Sequence, residues 1–483
     1  MRTNSSFHHD NVNTITDGHR VLDISNQKRD FLYTKSKFQA KAQEISYELI
    51  FEKMVPALIN SMEQNVSHHL TAAALRASRN PSLNSTTKPS ADEISAEILF
   101  DNTFVKVNNK NINRETILKK TKQSRISQQP LSIGIPLFSR KPVSPVKNRG
   151  YSPDIGDIYS IIRCAELMKL LSWFQEQDVC LNIFSDGFKY QRACGTPDEN
   201  ILDYQNGLRF WIEALEINNY VKIINYEDHL AMTLGRELYS LREKEYFTTY
   251  LKFAADLKRH FDPRFLHRSF HNIERSSPYG AEIKYVFYSI ASSVYYQSGH
   301  LGKNIVNKHD LAQYIFVDYL AEIHLASLGN ISHYLPDKLL SLSLLEETWE
   351  ATLKYVSISL TDRHLDVWNK IQPSGIKLSI HGKPGEIQLR PTNSKFLTMT
   401  AQHSVGGVVK TKMGTKITCE YRIEREAAGE IPVILAGSKN KNVFSKKPPD
   451  TIKKMIRSGQ PFCYVPDKTE DIQKIISGSY IDA

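Results

Sequence analysis

The sequence predicts an α/β protein built on a Rossmann-like, mostly parallel sheet flanked by helices. Three observations predict this class. From about residue 133, helical patterns alternate with short apolar runs, as in the crossover units of a parallel sheet. The runs "VCLNIFSDG" and "YVKIINY" are β-rich and apolar, which is typical of strands buried on both faces. The 483 residues, 41% of them hydrophobic, suffice for a sizeable core.

Two helix starts frame the first of these strands. Ser152 precedes Pro and Asp, so its hydroxyl can cap free backbone amides while proline occupies the first turn. The helix that follows should end near Gln177. Thr196 and Glu199 have capping-box spacing and predict a second helix.

Residues 1–130 differ in composition from the rest of the chain. They include a linker rich in Ser, Asn and Pro, "RASRNPSLNSTTKPSADE". Before this linker, apolar residues recur at helical spacing, which predicts a helix interrupted near Pro56. These apolar residues are Ile45, Leu49, Ile50, Met54 and Leu58. We therefore expect an N-terminal extension over 1–130, partly helical and partly disordered, and an α/β domain over 131–483 with a small C-terminal element from about residue 440.

The net charge of +10 is concentrated in one stretch. Residues 101–150 contain eleven Lys and Arg against two Asp and Glu. The stretch has few aromatic residues and much Pro, Ser, Gln and Asn, which favours a solvated basic linker. Contact with nucleic acid, a membrane surface or an acidic partner is the alternative.

The sequence lacks the patterns of a membrane span, a signal peptide, a disulfide framework or a zinc site. No apolar run approaches the ~18 residues of a membrane-spanning helix, and the N-terminal residues lack a signal-peptide pattern. The five cysteines are scattered without any C-x-x-C pair, so neither a disulfide framework nor a zinc site is indicated. These patterns predict a cytoplasmic protein without a membrane span or a metal site.

A Ser-Asp-Gly corner ends the first predicted strand. Ser185 and Asp186 should lie at the carboxyl edge of the sheet, where ligands bind in such folds. Gly187 would allow a tight turn, and Lys189 and Arg192 follow within reach of an anion. An ordinary turn would have the same composition, and the sequence leaves both interpretations open.

A second polar strand end occurs about two hundred residues later. The segment "IQPSGIKLSIHGKPGEIQLRP" reads as strand, Gly-Pro turn and strand. Its alternation places Lys377, Ser379 and His381 on one face. A Ser/His pair at a second strand end favours a site shared with the Ser-Asp-Gly corner.

Taken in order, "PDIGDIYSIIRCAELM", "IFSDG" and "IKLSIH" resemble the pyoverdine/dityrosine biosynthesis family, the isocyanide (isonitrile) synthases. The resemblance covers roughly Ile133 to Ile434. It implies an enzyme with a Rossmann-like core that joins the amine of tyrosine or tryptophan to ribulose 5-phosphate, whose C2 becomes the isonitrile carbon. It implies no metal and no organic cofactor.

That chemistry needs a proton carrier, anion-binding groups and hydrogen bonds to an imine. The candidate proton carriers are Asp186 and His381. The candidates for holding phosphate or carboxylate are Lys189, Arg192 and Lys377. Ser185 and Ser379 could orient the imine.

The chain departs from the family pattern at two places. Phe188 follows Ser-Asp-Gly where relatives carry Arg or His, and an extended segment would direct Lys189 to the opposite side. The segment "TAQHSVGGVV" replaces a Pro-Trp-His-Gly-like motif, and only His403 and the two glycines correspond. Arg268 and Lys284, in a His- and Arg-rich stretch, are further candidates for phosphate.

Three functions are therefore compatible with the sequence. The first is an active isonitrile synthase of secondary metabolism, a lyase-like enzyme acting on an amino acid and ribulose 5-phosphate. The second is a divergent or inactive relative that binds a sugar phosphate or an amino acid. The third is a basic binding protein that contacts nucleic acid or an acidic partner, which is the least favoured. The sequence does not indicate an oligomeric state.

Overall fold

Two five-stranded sheets and their helices make up the part of the chain that the structure describes. The computed structural model describes residues 42–78, 90–101, 103–105, 114–141, 148, 150–194, 196–263, 266–284, 286–287, 290, 338–373, 375–380, 387–392, 400–437, 449–466 and 472–480. The strands are β1 (Gln43–Ser46), β2 (Ser132–Pro136), β3 (Cys180–Ser185), β4 (Val221–Asn225), β5 (Ile376–Ser379), β6 (Ile387–Gln388), β7 (Val405–Lys410), β8 (Thr415–Glu420), β9 (Ile431–Ala436) and β10 (Pro461–Val465). The main helices are α1 (Val55–Ser78), α2 (Ala91–Leu99), α3 (Arg114–Ser127), α4 (Ile155–Gln175), α5 (Gly187–Cys194), α6 (Asp198–Ala214), α7 (Tyr226–Lys258), α8 (Leu266–Ser276), α9 (Lys338–His364), α10 (Val367–Ile371), α11 (Arg422–Ala427), α12 (Asp450–Ser458) and α13 (Ile472–Ile476).

One sheet is entirely parallel and has the strand order β4-β3-β2-β5-β6. The central strand β2 is buried over Ile133, Gly134 and Ile135. The two apolar runs singled out in the sequence form β3 and β4, with helices between the successive strands. The predicted α/β class with mostly parallel strands is confirmed.

The other sheet is mixed and was not foreseen as a separate layer. Its order is β1-β9-β10-β7-β8, with β1 parallel to β9, β10 parallel to β7, and the remaining neighbours antiparallel. The segment predicted to form a small C-terminal element supplies β10 to this sheet. This strand is therefore part of a larger sheet.

Segments before residue 130 contribute to the same core. Gln43 in β1 pairs with Val433 in β9, and Ile45 and Ile50 belong to one hydrophobic cluster with Ile133 of β2. The predicted helix over this region starts only after β1, with a π-helical turn over Ile50–Met54. Pro56 does not end the helix: the backbone is already helical before it, and the regular α-helical hydrogen-bond pattern gives way to the π-helical turn just ahead of the proline.

Helix α4 lies between the two sheets and contacts β3 and β4 of one sheet and β7 and β8 of the other. Nearly all of its side chains are buried, which is the pattern of a helix covered on every side. Among the described residues, no helix combines the length and apolar character needed to cross a membrane.

Both helix starts differ from the sequence-based predictions. At α4 the cap is Asp154, whose carboxylate accepts a hydrogen bond from Gly156 N at 2.8 Å. Ser152 instead exchanges backbone hydrogen bonds with the side chain of Gln460. At α6 the cap position is Pro197, with no side-chain hydrogen bond to the helix.

The basic stretch is not a solvated linker where the structure describes it. It forms α3 and β2, and Arg125 of α3 pairs with Asp92 at 2.5 Å. Lys141 is fully buried. Composition suggested a linker because it does not reveal that acidic residues elsewhere in the chain pair with some of these cations.

The ammonium of Lys141 lies between two carboxylates at the start of α4. It is 2.6 Å from Asp154 Oδ2 and also contacts Asp157, which accepts a hydrogen bond from Tyr204 Oη at 2.6 Å. Burial would lower the pKa of Lys141, but the two carboxylates raise it above its ordinary value. Burial raises the pKa of Asp154 to about 6 despite the attraction of Lys141. This buried group fixes the segment after β2 to α4.

Glu166 on α4 should make the stability of the protein depend on pH. It accepts a hydrogen bond from Asn65 of α1 at 2.9 Å, and burial raises its pKa from 4.5 to about 7. Because the folded-state pKa is the higher one, the folded protein holds the proton between these values and stability falls as pH rises through that window. The free energy of unfolding of the parent protein should fall by up to about 3 kcal/mol between pH 5 and 8. Glu166→Gln has no carboxyl group to ionise at this position, so we expect this fall to be absent. Urea unfolding across the pH range measures it.

The control for Glu166→Gln is Glu63→Gln, which removes an exposed carboxylate that pairs with Lys169 across the same two helices. Such an exposed pair contributes about 0–1 kcal/mol. If Glu166→Gln and the parent protein lose stability equally between pH 5 and 8, Glu166 is not the group responsible.

Candidate functional site

The two segments linked by the sequence analysis end on the same edge of the parallel sheet. Gly134 in β2 pairs with Asn182 in β3 on one side and with Lys377 in β5 on the other. The carboxyl ends of β3 and β5, at Ser185 and Ser379, are therefore separated by one strand, or roughly 10 Å. Beyond that edge lies the crevice in which ligands of such sheets bind.

Ser185 anchors this edge through its hydrogen bonds. It is fully buried, donates to Phe138 O at 2.7 Å and accepts from Gln205 Nε2 at 2.9 Å. These two bonds tie β3 to the segment after β2 and to α6.

The residues after Ser185 form a helix, whereas the sequence suggested a tight turn at Gly187. Helix α5 starts at Gly187, directly after Asp186. Gly187 is needed for close approach, since a Cβ there would lie 2.1 Å from Ser139 O. The expectation that Phe188 and Lys189 point to opposite sides is wrong, because successive helical residues are about 100° apart and both side chains line the same cavity.

We expect Gly187→Ala to destabilise the fold by about 1–3 kcal/mol, because the added methyl must displace backbone atoms of the segment after β2. Gly437→Ala is the matched control, since an added Cβ there would have nothing within 4 Å. Chemical denaturation measures the free energy of unfolding of both variants. Equal stability of the two would mean that the contact with Ser139 relaxes without cost.

A cavity of about 200 Å³ opens at this edge between α5, α7 and α9. It is smaller than the about 300–1,000 Å³ typical of sites for drug-sized ligands, so it fits a small metabolite or part of one. The described residues that line it are Phe188, Lys189, Gln191, Glu227, Tyr239, Arg242, Glu243, Tyr246, Ile358, Thr361 and Asp362.

Asp362 of α9 connects the cations of the cavity. Its carboxylate lies 2.9 Å from Lys189 Nζ and 2.5 Å from Arg242 Nε. It also accepts a hydrogen bond from Tyr226 Oη at 2.8 Å. The three helices around the cavity are thus joined through one buried carboxylate.

Glu227 holds the other side of Arg242. Its two oxygens accept from Arg242 Nη2 at 2.9 Å and Nη1 at 3.1 Å, and Tyr239 Oη donates to it at 3.0 Å. This geometry depends on a break in α7 at Gly235, where φ is 70°. Glycine adopts this conformation at little cost, and the break places the two halves of α7 on either side of the ion pair.

The two aspartates nearest Lys189 differ in their affinity for protons. Burial alone would raise the pKa of Asp362, but Lys189 and Arg242 lower it to about 2, so Asp362 stays ionised. Burial raises the pKa of Asp186, although Lys189 and a hydrogen bond with Ser139 oppose the change. The buried Oδ1 of Asp186 has no hydrogen-bond partner among the described residues. Of the two, Asp186 is the better candidate for proton transfer.

Candidates at β5 lie on the same edge but do not line the cavity. Lys377 Nζ is 5.0 Å from the ring centre of Trp368. Ser379 is buried, and its hydroxyl has no hydrogen-bond partner among the described residues. His381 lies outside the described residues, as does the side chain of Arg192 on α5.

Three other candidates are also absent from the cavity lining. His403 lies in a 3₁₀-helix over Ala401–His403, just before β7. Arg268 is exposed on α8, and Lys284 pairs with Glu274 at 3.3 Å. Within the described part of the chain, no group of three or more His, Cys, Asp or Glu side chains could hold a metal ion.

Sequence reasoning found Lys189 but missed the residues linked to it directly or through Asp362, namely Asp362, Tyr226, Arg242 and Glu227. The partners come from helices far apart in the chain, so spacing could not indicate them. One signal was available at Asp362, which directly follows the apolar and uncharged residues of "YVSISLT". A charge on the buried side of a helix requires a partner.

Residues 122–294 match the family model described as pyoverdine/dityrosine biosynthesis protein. The match extends from α3 beyond α8 and includes Asp186, Lys189 and Arg242, but ends before Asp362. It supports the resemblance to this biosynthetic family that the sequence motifs indicate. No curated protein matches the chain. Among solved structures, the crystal structure of the PvcA protein from Pseudomonas aeruginosa aligns with 77% of this chain and 97% of its own, with 16% identity and a TM-score of 0.45.

Proposed function

We propose that the protein is a cytoplasmic isonitrile synthase-like enzyme of secondary metabolism. It converts the α-amino group of an amino acid, tyrosine or tryptophan, to an isonitrile with ribulose 5-phosphate as carbon donor. The observation that carries the proposal is a small charged cavity whose Lys189 interacts electrostatically with Asp186, the buried carboxylate directly after β3, although Asp186 itself is not among the lining residues. The match of residues 122–294 to a biosynthetic family supports it.

The reaction begins when the amine attacks the C2 ketone of the sugar and water leaves, which gives an imine. Proton removal, phosphate loss and carbon–carbon cleavage must follow. Asp186, with its raised pKa, suits the proton transfers. Ser379 has a buried hydroxyl on the same edge that could hydrogen-bond to the imine. Lys377 stays our candidate for the phosphate.

The experiment is to incubate the purified full-length protein with ribulose 5-phosphate and one aromatic amino acid at a time, and to trap any isonitrile with a tetrazine. Ribulose without phosphate is the matched control substrate. Isonitrile that forms only with the phosphorylated sugar supports the proposal. Absence of isonitrile with every aromatic amino acid contradicts it.

A second candidate function is a relative that binds the amino acid without transferring carbon. Both cations that line the cavity, Lys189 and Arg242, already pair with carboxylates. Neither is therefore positioned to bind phosphate, which favours this second function. Binding of tyrosine or tryptophan without turnover would select this function.

A further inference from the structure

Lys189 is attracted by two buried carboxylates and pairs with one of them. Its ammonium lies 2.9 Å from Asp362 Oδ2 on α9. Asp186, which precedes Lys189 by one helical turn, attracts it less strongly than Asp362 does. The buried Oδ1 of Asp186 has no hydrogen-bond partner within the described part of the chain. The shared cation is thus committed to Asp362.

Two aromatic rings also hold the ammonium of Lys189. It lies over the ring of Tyr190, 4.9 Å from the ring centre, and over that of Tyr226 at 5.0 Å. Ring faces attract ammonium cations. Burial raises the pKa of both phenols above the ordinary value, so both stay neutral and neither competes with Asp362 as an anion.

Asp362 is itself fixed by contacts with α7. Arg242 Nε lies 2.5 Å from one carboxylate oxygen, and Tyr226 Oη donates to the other at 2.8 Å. Glu227 holds Arg242 from the far side through two hydrogen bonds. Moving Lys189 from Asp362 to Asp186 would break a buried ion pair, which is costly.

The neighbours of Asp186 leave Lys189 as its strongest source of positive charge. Arg140, on the segment after β2, attracts Asp186 less strongly than Lys189 does and donates a hydrogen bond to Thr196. At the start of α6, Asp198 is exposed and accepts a hydrogen bond from Gln191. The other charged or titratable groups that surround Asp186 and Lys189 are Tyr190 of α5, Tyr226 and Arg242 of α7, and Asp362 of α9.

From this geometry we infer that Asp362 is a positioning residue for the proposed proton transfer: it holds the ammonium of Lys189 away from Asp186 and so leaves Asp186 without a paired cation. The inference rests on the proposed function for the role of the proton on Asp186. The family match ends before Asp362, and the sequence motifs do not include it.

The test follows the titration of Asp186 in the full-length protein by infrared difference spectroscopy, in which the band of this carboxyl group is the one that Asp186→Asn lacks. Asp362→Asn keeps the shape of the side chain and removes its charge. We expect the midpoint of Asp186 to fall by about 1–3 pH units, because the released ammonium can pair with Asp186 and favour its ionised form. A midpoint equal to that of the parent protein would overturn the inference.

Lys189→Met should move the midpoint in the opposite direction. It breaks the same ion pair but removes the cation, so burial raises the pKa of Asp186 with less opposition. Asp362 keeps Arg242 as its partner. General damage to the fold does not produce opposite shifts in the two variants. If Asp362→Asn does not fold, an unchanged midpoint in Lys189→Met is enough to refute the inference.

Tyr226→Phe is the matched control for Asp362→Asn. It removes one hydrogen bond to Asp362 but keeps the ring over Lys189 and the charge of Asp362. The midpoint of Asp186 should stay close to that of the parent protein. A fall as large as in Asp362→Asn would show that the charge of Asp362 is not what matters.

Failure of the inference and failure of the proposed function are distinguishable, because the infrared titration needs no turnover. Opposite shifts in Asp362→Asn and Lys189→Met, without isonitrile from any aromatic amino acid, support the inference and contradict the function. Isonitrile formation with an unshifted midpoint in Asp362→Asn does the reverse. If both hold, the acid limb of kcat/KM in Asp362→Asn should move to lower pH together with the carboxyl band.

Discussion

Replacing Asp186 by asparagine is expected to lower the rate of isonitrile formation by about 10²- to 10⁴-fold, the usual contribution of a positioned general acid or base. Asparagine has nearly the same shape but cannot accept a proton in the relevant pH range. The raised pKa of Asp186 brings its titration closer to neutral pH, where a proton carrier is most effective. The measurement is kcat/KM for the tetrazine-trapped product.

A pH profile distinguishes proton transfer from a loss of folding or binding. If the protein has the proposed activity, the acid limb of kcat/KM should report a carboxyl group that titrates above its ordinary range, and Asp186→Asn should lack this limb. Asp178→Asn is the matched control, because Asp178 is exposed just before β3, at the opposite end of the strand from Asp186. Retention of the acid limb in Asp186→Asn would assign the proton transfer to another group.

Lys141→Met should destabilise the protein by about 3–5 kcal/mol, because it leaves Asp154 and Asp157 buried without their common cation. Methionine has a similar length and can fill the space. The loss should be smaller at pH 5 than at pH 8, since Asp154, with a pKa of about 6, takes up a proton at the lower pH. Denaturant unfolding at the two pH values measures both effects.

The matched control for Lys141→Met is Lys453→Met, which removes a partly exposed partner of the exposed Asp450. Exposed pairs of this kind contribute about 0–1 kcal/mol. If the two variants lose the same stability, then the buried carboxylates near Lys141 tolerate its removal, and the ion pair does not hold the segment after β2.

The strands at the centre of the parallel sheet could be predicted because their signal is local. Leu181, Ile183 and Phe184 form one short apolar run, and burial on both faces requires such a run. Alternation likewise indicated the strand at Lys377 and Ser379. Strands β3 and β5 both run parallel to β2, so their carboxyl ends lie at the same edge of the sheet. A parallel sheet predicted from the sequence therefore places both strand ends at this edge.

The cavity could not be predicted because its chemistry is distributed over distant helices. Lys189 was identified as a basic residue near a strand end, but the contact that governs its charge comes from Asp362, more than 170 residues away. The prediction at Thr196 failed for a related reason. Its hydroxyl accepts a hydrogen bond from Arg140, a residue of another segment, and does not cap α6.

The parallel pairing of β1 with β9 has a consequence for folding during synthesis. About 390 residues separate Gln43 from its partner Val433, so the first strand emerges from the ribosome long before its neighbour exists. At about 5–20 residues per second, the intervening chain takes roughly 20–80 s to make. Throughout that interval β1 lacks its neighbouring strand, whereas α1 can already pack against α4, which it contacts in the folded protein. The unpaired edge of β1 is therefore left to chaperones or to local collapse.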